Sequence, residues 1–241
     1  MVKIKLDAGH GGKDGGAQGN GLSEKVLTLK IAQKIKSILG QYENVTVSMT
    51  RNTDIFLELS QRANMANKED VDAFISIHIN SATSTSAKGF ESYIYNGSTN
   101  AKTSAFQNVV HAEIMKQIKG DMSDRSKKRA NFAVLRQTNM IALLTENGFI
   151  VNASDASKLK SDSFINKLAQ GHANGIVQFF GLKKKATAKE PEKTTGGANI
   201  AKPNNDLLYK VQVGAFSDRD NAEDLVKALA KDGYSAFIDV Q

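Results

Sequence analysis

Short apolar runs alternate with segments of helical periodicity along residues 1–182, and this alternation restricts the possible folds most. The strand-like runs are VKIKL, VTVSM, DAFISIHI and IALLTE. Segments such as SEKVLTLKIAQKIKSIL repeat apolar residues at intervals of three and four, which is the spacing of one buried helix face. Strands that alternate with helices predict a largely parallel sheet, because parallel neighbours need a long crossover connection. We therefore expect an α/β fold with helices on both faces of the sheet, and FESYIYNG as an edge strand or hairpin arm.

Four residues that can bind a metal or move a proton stand at the ends of these segments. His10 follows the first apolar run, His78 ends the third, Glu146 ends the fourth, and Glu24 opens the first helical segment. Ligands of open α/β sheets bind outside the carboxyl ends of the strands, so we expect these side chains to meet there. Two imidazoles and two carboxylates match a hydrolytic zinc site, which needs three protein ligands, an open position and a base.

The residue types that are absent exclude several other chemistries. The chain has no cysteine, so disulfides and thiolate metal sites are excluded. The two remaining histidines, His111 and His172, lie inside amphipathic helical segments and are interpreted as structural. No GxSxG motif is present, which argues against a serine hydrolase. The glycine-rich stretch GHGGKDGGAQGNG lacks the GxxxxGK[ST] pattern of a phosphate-binding loop.

Composition changes abruptly after residue 182. Residues 183–208 contain both prolines, a Gly-Gly pair and many charges, which predicts a flexible linker. Residues 209–241 then show a strand–helix–strand pattern, with a helical apolar stripe at Ala222, Leu225, Val226 and Leu229. A single βαβ unit of this length buries little apolar surface, so we expect it to need a partner or a second copy.

Charge and hydropathy indicate where the chain acts. The net charge of +7 is compatible with an anionic partner, such as nucleic acid, anionic lipid or an anionic cell wall. No platform of aromatic and basic residues is visible, so nucleic acid is not an expected partner. No apolar window is long enough to span a membrane. The N-terminus lacks the features of a secretory signal, and we expect synthesis in the cytoplasm without one.

Several motifs together resemble a known enzyme family. DAGHGGKDGGAQGNGLSEK, TRNTDIFLELSQRANMAN, FISIHIN and VLRQTNMIALLTENGFIVN are similar to the ordered motifs of zinc-dependent N-acetylmuramoyl-L-alanine amidases of the Amidase_3 type. The similarity covers essentially all of residues 1–182. It implies a catalytic domain with a mostly parallel, mixed sheet, and hydrolysis of the amide between N-acetylmuramic acid and L-alanine in peptidoglycan.

The resemblance also implies roles for particular residues. His10, Glu24 and His78 match the ligands of a Zn²⁺ ion, and Glu146 matches the catalytic glutamate. Asn80 lies two residues past His78 and is expected to orient the substrate or a ligand. Three further family positions, Arg51, Asp54 and Arg62, are interpreted as a structural ion-pair network.

The C-terminal unit resembles half of a SPOR-type repeat, a peptidoglycan-binding module that normally has two βαβ halves. The whole arrangement is similar to sporulation amidases of bacilli and to phage lytic enzymes, which implies action at the cell wall after lysis or holin-type release. Two alternatives stay open: a non-catalytic peptidoglycan-binding protein, and a zinc peptidase that cuts within the stem peptide.

Overall fold

The computed structural model describes residues 1–185, 219–231 and 237–238. The chain divides into two units, Met1–Ala188 and Lys189–Gln241. The strands of the first unit are β1 Val2–Ala8, β2 Gln18–Gly19, β3 Leu22–Ser23, β4 Val45–Met49, β5 Ala73–Asn80, β6 Phe90–Tyr95, β7 Asp124–Ala130 and β8 Ile141–Phe149. Its helices are α1 Glu24–Leu39, α2 Leu59–Glu69, α3 Ala101–Ile118, α4 Ala133–Arg136, α5 Ala153–Leu159 and α6 Asp162–Phe180.

A six-stranded sheet with the order β4-β1-β5-β8-β6-β7 forms the centre of the first unit. Four of its five strand pairs are parallel, and the β6–β8 pair is antiparallel. The prediction of a mostly parallel, mixed sheet is therefore confirmed. The short strands β2 and β3 form a separate hairpin in the loop between β1 and α1.

Helices cover both faces of this sheet, as predicted. Ile75 and Ile77 of β5 pack into the larger apolar cluster with α1, α3 and α6. Phe74 belongs to the smaller cluster on the other face, together with residues of α2 and α4. This division follows from the period of two along a strand, which sends alternate side chains to opposite faces.

FESYIYNG contains a strand, but the prediction of an edge strand or hairpin arm is wrong, since its two neighbours are the parallel β7 and β8, which is distant in the sequence. Its strand, β6, lies between β8 and β7, and β7 occupies the edge. The sequence of β7 is DRSKKRA, with four cations in seven residues and no apolar run. An edge strand can be this polar because only one of its sides pairs with the sheet. Hydrophobic periodicity therefore gave no indication of β7.

In the C-terminal unit the predicted helix is confirmed as α7, Arg219–Lys231. Most residues of the two strands predicted beside it lie outside the described residues, as does the predicted linker beyond Lys185. The first unit continues past Leu182, where Lys184 forms an isolated bridge with Tyr42 and the Lys185 amide donates to the Gln41 carbonyl. Among the described helices, none has the length and hydropathy required to span a membrane.

Candidate active site

The loop after β1 holds His10 in an unusual backbone conformation. The φ angle of His10 is 61°, in the left-handed region that side chains other than glycine rarely adopt. Two buried guanidinium groups hold the surrounding carbonyl groups. Arg51 donates to the oxygens of Ala8 and Gly9, both at 2.9 Å. Arg62 donates to the oxygens of Ala8 and His10, both at 2.8 Å. The position of the His10 backbone is thus determined by the core.

Asp7 supports this arrangement from within β1. Its carboxylate pairs with Arg62 at 2.8 Å and accepts hydrogen bonds from Thr50 and Ser76, both at 2.7 Å. Burial alone would raise the pKa of Asp7, but the Arg62 charge and these hydrogen bonds outweigh burial and lower that pKa. Asp7 therefore stays ionised and fixes the guanidinium that holds the His10 loop.

The prediction of one ion-pair network for Arg51, Asp54 and Arg62 is only partly right. Arg62 has its ion pair with Asp7, whereas Asp54 pairs with Lys25 at 2.7 Å and accepts from the Gly12 amide at 2.7 Å. Arg51 donates to carbonyl groups, as described above, and to no carboxylate in the described chain. Arg51 and Arg62 therefore both hold the end of β1 and the start of the glycine-rich loop, whereas Asp54 holds the Gly12 amide further along it.

Glu24 lies between the two histidines at the first position of α1. Its Oε1 atom is 3.1 Å from His10 Nε2 and 3.0 Å from His78 Nδ1. The backbone amides of Ala17 and Ile79 donate to the same carboxylate at 2.8 and 2.9 Å. Burial alone would raise the pKa of Glu24, but hydrogen bonds with both imidazoles outweigh it and hold the pKa far below its usual value. The carboxylate is thus ionised and fixed in place.

His10, Glu24 and His78 form a group that can hold a metal ion. One ligand atom from each lies within 4.8 Å of the others. The separations of 3.0 and 3.1 Å are close to the edge of a tetrahedron with zinc–ligand bonds, about 3.3 Å. The other ring nitrogen of His10 contacts Asp14 Oδ2 at 2.9 Å, which orients the imidazole as outer carboxylates do in metal sites. Donor types and spacing both fit a divalent metal.

Glu146 lies beside this group on the neighbouring strand. In the sheet register it pairs with His78 of β5 on one side and with Glu91 of β6 on the other. Its Oε2 atom is buried and has no hydrogen-bond partner among the described residues. Burial, and then the charges of Glu24 and Glu91, raise the pKa of Glu146 well above its usual value. Such a carboxyl group is suited to proton transfer.

Asn80 lies at the end of β5, and its amide group is already bonded within the protein. Its Nδ2 atom donates to Glu91 at 2.7 Å, and its Oδ1 atom accepts from the Ser81 amide at 2.8 Å. The structure therefore places Asn80 near the site and links it to Glu91. Its predicted role toward substrate or ligand stays a prediction.

Glu91 is the main residue of this region that was not predicted from the sequence. Its side chain is 3% exposed and accepts hydrogen bonds from Asn80, Tyr93, Arg125 and Lys128. The charge of a carboxylate within the apolar run FESYIY is the signal that could have indicated it, since a buried charge needs specific partners. The two cationic partners come from β7, which the sequence pattern did not reveal.

His111 and His172 link structural elements, as expected from their helical positions. His111 contacts Ser92 Oγ at 2.8 Å and Asp124 Oδ1 at 3.0 Å, and His172 contacts Thr145 Oγ1 at 3.0 Å. Ser92, His111 and Asp124 form a hydrogen-bonded series like that of a serine-hydrolase triad. Ser92 is completely buried, however, and is not accessible to a substrate. Burial lowers the pKa of His172 to about 4, so its imidazole is neutral at pH 7.

Comparisons with known proteins agree with this geometry. The profile of the N-acetylmuramoyl-L-alanine amidase family Amidase_3 matches residues 4–178, and that of the SPOR domain matches residues 171–239. A sporulation-specific N-acetylmuramoyl-L-alanine amidase of Bacillus subtilis (strain 168) is 46% identical over 99% of this chain and 84% of its own length. The endolysin of Bacillus phage SPP1 is 48% identical over 79% of this chain and 70% of its own length.

Solved structures show the same similarity. The catalytic domain of CwlV, an N-acetylmuramoyl-L-alanine amidase from Bacillus (Paenibacillus) polymyxa var. colistinus, superposes with a TM-score of 0.72 at 38% identity, covering 76% of this chain and 100% of that one. An N-acetylmuramoyl-L-alanine amidase from Clostridium difficile 630 also gives a TM-score of 0.72, at 31% identity, covering 75% and 97%. The chain therefore belongs to the N-acetylmuramoyl-L-alanine amidase family Amidase_3.

Proposed function

We propose that this protein is a zinc-dependent amidase that hydrolyses the bond between the lactyl group of N-acetylmuramic acid and L-alanine in peptidoglycan. One observation supports this most directly. The ligand group His10, Glu24 and His78 lies next to Glu146, a buried carboxyl group without a partner among the described residues. A hydrolytic metal site needs these two parts in adjacent positions.

In the proposed reaction His10, Glu24 and His78 would hold a zinc ion. Zinc in such a site polarises a carbonyl group and acidifies water. Glu146 accepts a proton from the attacking water at its free carboxylate oxygen, and it then donates that proton to the departing amine of L-alanine. Its raised pKa makes this carboxylate a stronger base than an ordinary glutamate, which favours acceptance of the water proton. Asp14 holds the imidazole of His10 in the orientation that points Nε2 at the site.

We further propose that residues 1–182 form the catalytic domain, residues 183–208 a linker, and residues 209–241 a partial SPOR-like repeat that attaches the enzyme to the wall. The SPOR profile match supports wall attachment. Anionic wall polymers are proposed as an additional partner because the chain has a net charge of +7. The sporulation-specific amidase and the endolysin among its relatives support a role in cell-wall lysis, in mother-cell lysis or in phage release.

The test uses purified Gram-positive cell walls, on which turbidity and newly formed amino termini are followed. The wild-type protein should release N-terminal L-alanine, lose activity on chelation and recover it with added zinc. Glu146→Gln should bind zinc normally and lower kcat by roughly 10²- to 10⁴-fold, since the proton acceptor is gone. Glu43→Gln is the matched control, because Glu43 is exposed and lies outside the candidate site.

Other results would favour the alternatives. Wall binding without new amino termini would indicate a non-catalytic peptidoglycan-binding protein. New termini on a residue other than alanine would indicate a peptidase that cuts within the stem. Near-normal turnover of Glu146→Gln would remove Glu146 from the proposed role.

A further inference from the structure

A row of charged residues crosses the sheet at the candidate site and continues beyond it. His78 of β5, Glu146 of β8 and Glu91 of β6 are direct neighbours in the sheet register. On the far side of Glu91, Arg125 and Lys128 of β7 both pair with the Glu91 carboxylate. The row thus passes from the metal ligands through the proposed base to two cations.

A bulge in β7 brings these two cations together. Residues three apart on a regular strand point to opposite faces. The register between β6 and β7 shifts between Phe90 and Ser92, and Ser126 has a φ angle of 74°. Such an extra residue changes the direction of the side chains that follow it. Arg125 and Lys128 can therefore reach the same carboxylate.

The environment of Arg125 leaves part of its guanidinium available. Arg125 Nε donates to Glu91 Oε2 at 2.8 Å, and its guanidinium carbon lies 4.8 Å from the centre of the Phe149 ring. Within the described chain, its two terminal nitrogens make no hydrogen bond, and the side chain is 35% exposed. Glu91 is matched by two cations, so this end of the row has one positive charge in excess.

The position of Arg125 agrees with the dimensions of an extended peptide. Its Nε atom bonds to Glu91, which lies on the strand next to Glu146, and neighbouring strands are about 4.8 Å apart. In a stem peptide whose second residue is joined to the third through its side-chain carboxyl group, the second residue keeps a free α-carboxylate. That carboxylate lies roughly 7 Å from the L-alanine amine, since an extended chain advances about 3.5 Å per residue. When the stem peptide extends from the scissile bond toward β6, this carboxylate comes within reach of the Arg125 guanidinium.

We propose that Arg125 is a specificity-determining residue that binds the free α-carboxylate of the second stem-peptide residue, with Glu91 and Phe149 orienting its guanidinium. This proposal rests on the proposed amidase function. The planar fork of arginine donates two parallel hydrogen bonds to a carboxylate, whereas an amidated second residue has no negative charge and accepts at one atom only. The enzyme should therefore prefer stems whose second residue is not amidated.

The test compares two soluble disaccharide peptides with the same tetrapeptide stem, one with a free α-carboxylate on the second residue and one with its amide. The wild-type enzyme should cleave the carboxylate form with the higher kcat/KM. Arg125→Gln should raise KM for the carboxylate form roughly 10- to 100-fold. The kcat for that form and the kcat/KM for the amide form should stay nearly unchanged. Arg125→Lys should restore part of the preference, because it restores the charge without the fork.

Lys127→Gln is the matched control, because Lys127 lies on the same strand but donates to Asn108 on α3. Thermal unfolding of each variant shows whether it folds. The role of Arg125 would be overturned if the wild type cleaved both substrates equally, or if Arg125→Gln lowered kcat/KM for both to the same extent. Either result would leave the amidase function intact. A wild-type protein that cleaves neither substrate would contradict the proposed function and this inference with it.

Discussion

Arg62 Nη2 donates a hydrogen bond of 2.8 Å to the carbonyl oxygen of His10, and His10 has a φ angle of 61°. A left-handed conformation costs a residue other than glycine about 1–2 kcal/mol, so the surrounding structure must impose it. The same guanidinium binds the buried Asp7 carboxylate. A proposed metal ligand is thus held through its backbone carbonyl by a charged group that is itself fixed by Asp7.

The contact between Arg62 and His10 leads to a prediction about metal affinity. Arg62→Lys keeps the positive charge beside Asp7 but loses the fork that reaches the carbonyl groups of Leu57, Ala8 and His10. We expect zinc affinity to fall roughly 10-fold or more, as when groups that orient a metal ligand are removed. Competition with a chromophoric chelator measures this without substrate. Lys30→Gln, which removes only an exposed ion pair with Asp162, should change nothing, and equal affinities for all three proteins would contradict the prediction.

Asp14 offers a second test of how the metal site is built. Its carboxylate contacts His10 Nδ1 at 2.9 Å, so Asp14→Asn should weaken zinc binding by about 10- to 100-fold. Asp54→Asn is the comparison, since Asp54 lies near the same loop but bonds to Lys25 and Gly12. A chelator titration measures both variants. If Asp54→Asn weakens zinc binding as much as Asp14→Asn does, zinc affinity depends on the general ordering of the loop and not on the contact between Asp14 and His10.

Glu146 should make the metal-free protein less stable at neutral pH. Burial is the largest cause of its raised pKa, followed by Glu24 and Glu91. Because the folded-state pKa lies above the unfolded-state value of about 4.3, ionisation opposes folding as the pH rises above that value. Glu146→Gln should therefore have the higher melting temperature in chelator at pH 7, and the difference should vanish near pH 4. A variant less stable than wild type at pH 7 would contradict this.

Asp7 should have the opposite dependence on pH. Its pKa is lowered in the folded state, so its contribution to stability is complete above the unfolded-state value of about 3.9 and is lost as the pH falls through the folded-state value. Asp7→Asn leaves Arg62 buried without its partner, and we expect a loss of about 3–5 kcal/mol at pH 7. Urea unfolding should show this loss shrinking as the pH falls below 4 (about the unfolded-state pKa). A loss of the same size at pH 7 and pH 3 (roughly one unit below that pKa) would assign the effect to packing.

Deletion of residues 189–241 should separate wall binding from catalysis. The cut leaves the first unit whole, including the contacts of Lys184 with Tyr42 and of Lys185 with Gln41. We expect unchanged kcat/KM on a soluble muropeptide and weaker sedimentation with intact walls. If the shortened protein binds walls as well as the full chain does, the C-terminal unit is not the wall anchor.

Local patterns in the sequence were sufficient to predict the strands and helices whose own residues are largely buried. The runs that became β1, β5 and β8 are apolar because both faces of these strands are covered, and α1 begins at Glu24 as its periodicity predicts. The two histidines and two glutamates of the candidate site stand at the ends of these elements, and the carboxyl ends of parallel strands share one edge of a sheet. The chemistry of a metal-dependent hydrolase thus followed from residue type and position along the chain.

Only the tertiary structure brought Glu91, Arg125 and Lys128 to the site. The strand β7 is polar because it lies at an edge, so no periodicity marked it, and its bulge depends on pairing with β6. The position of Glu91 beside Glu146 depends on the antiparallel register of β6 and β8, strands that lie far apart in the sequence. Such a register is set by packing across the whole sheet, whereas periodicity reports only the burial of a segment along its own length.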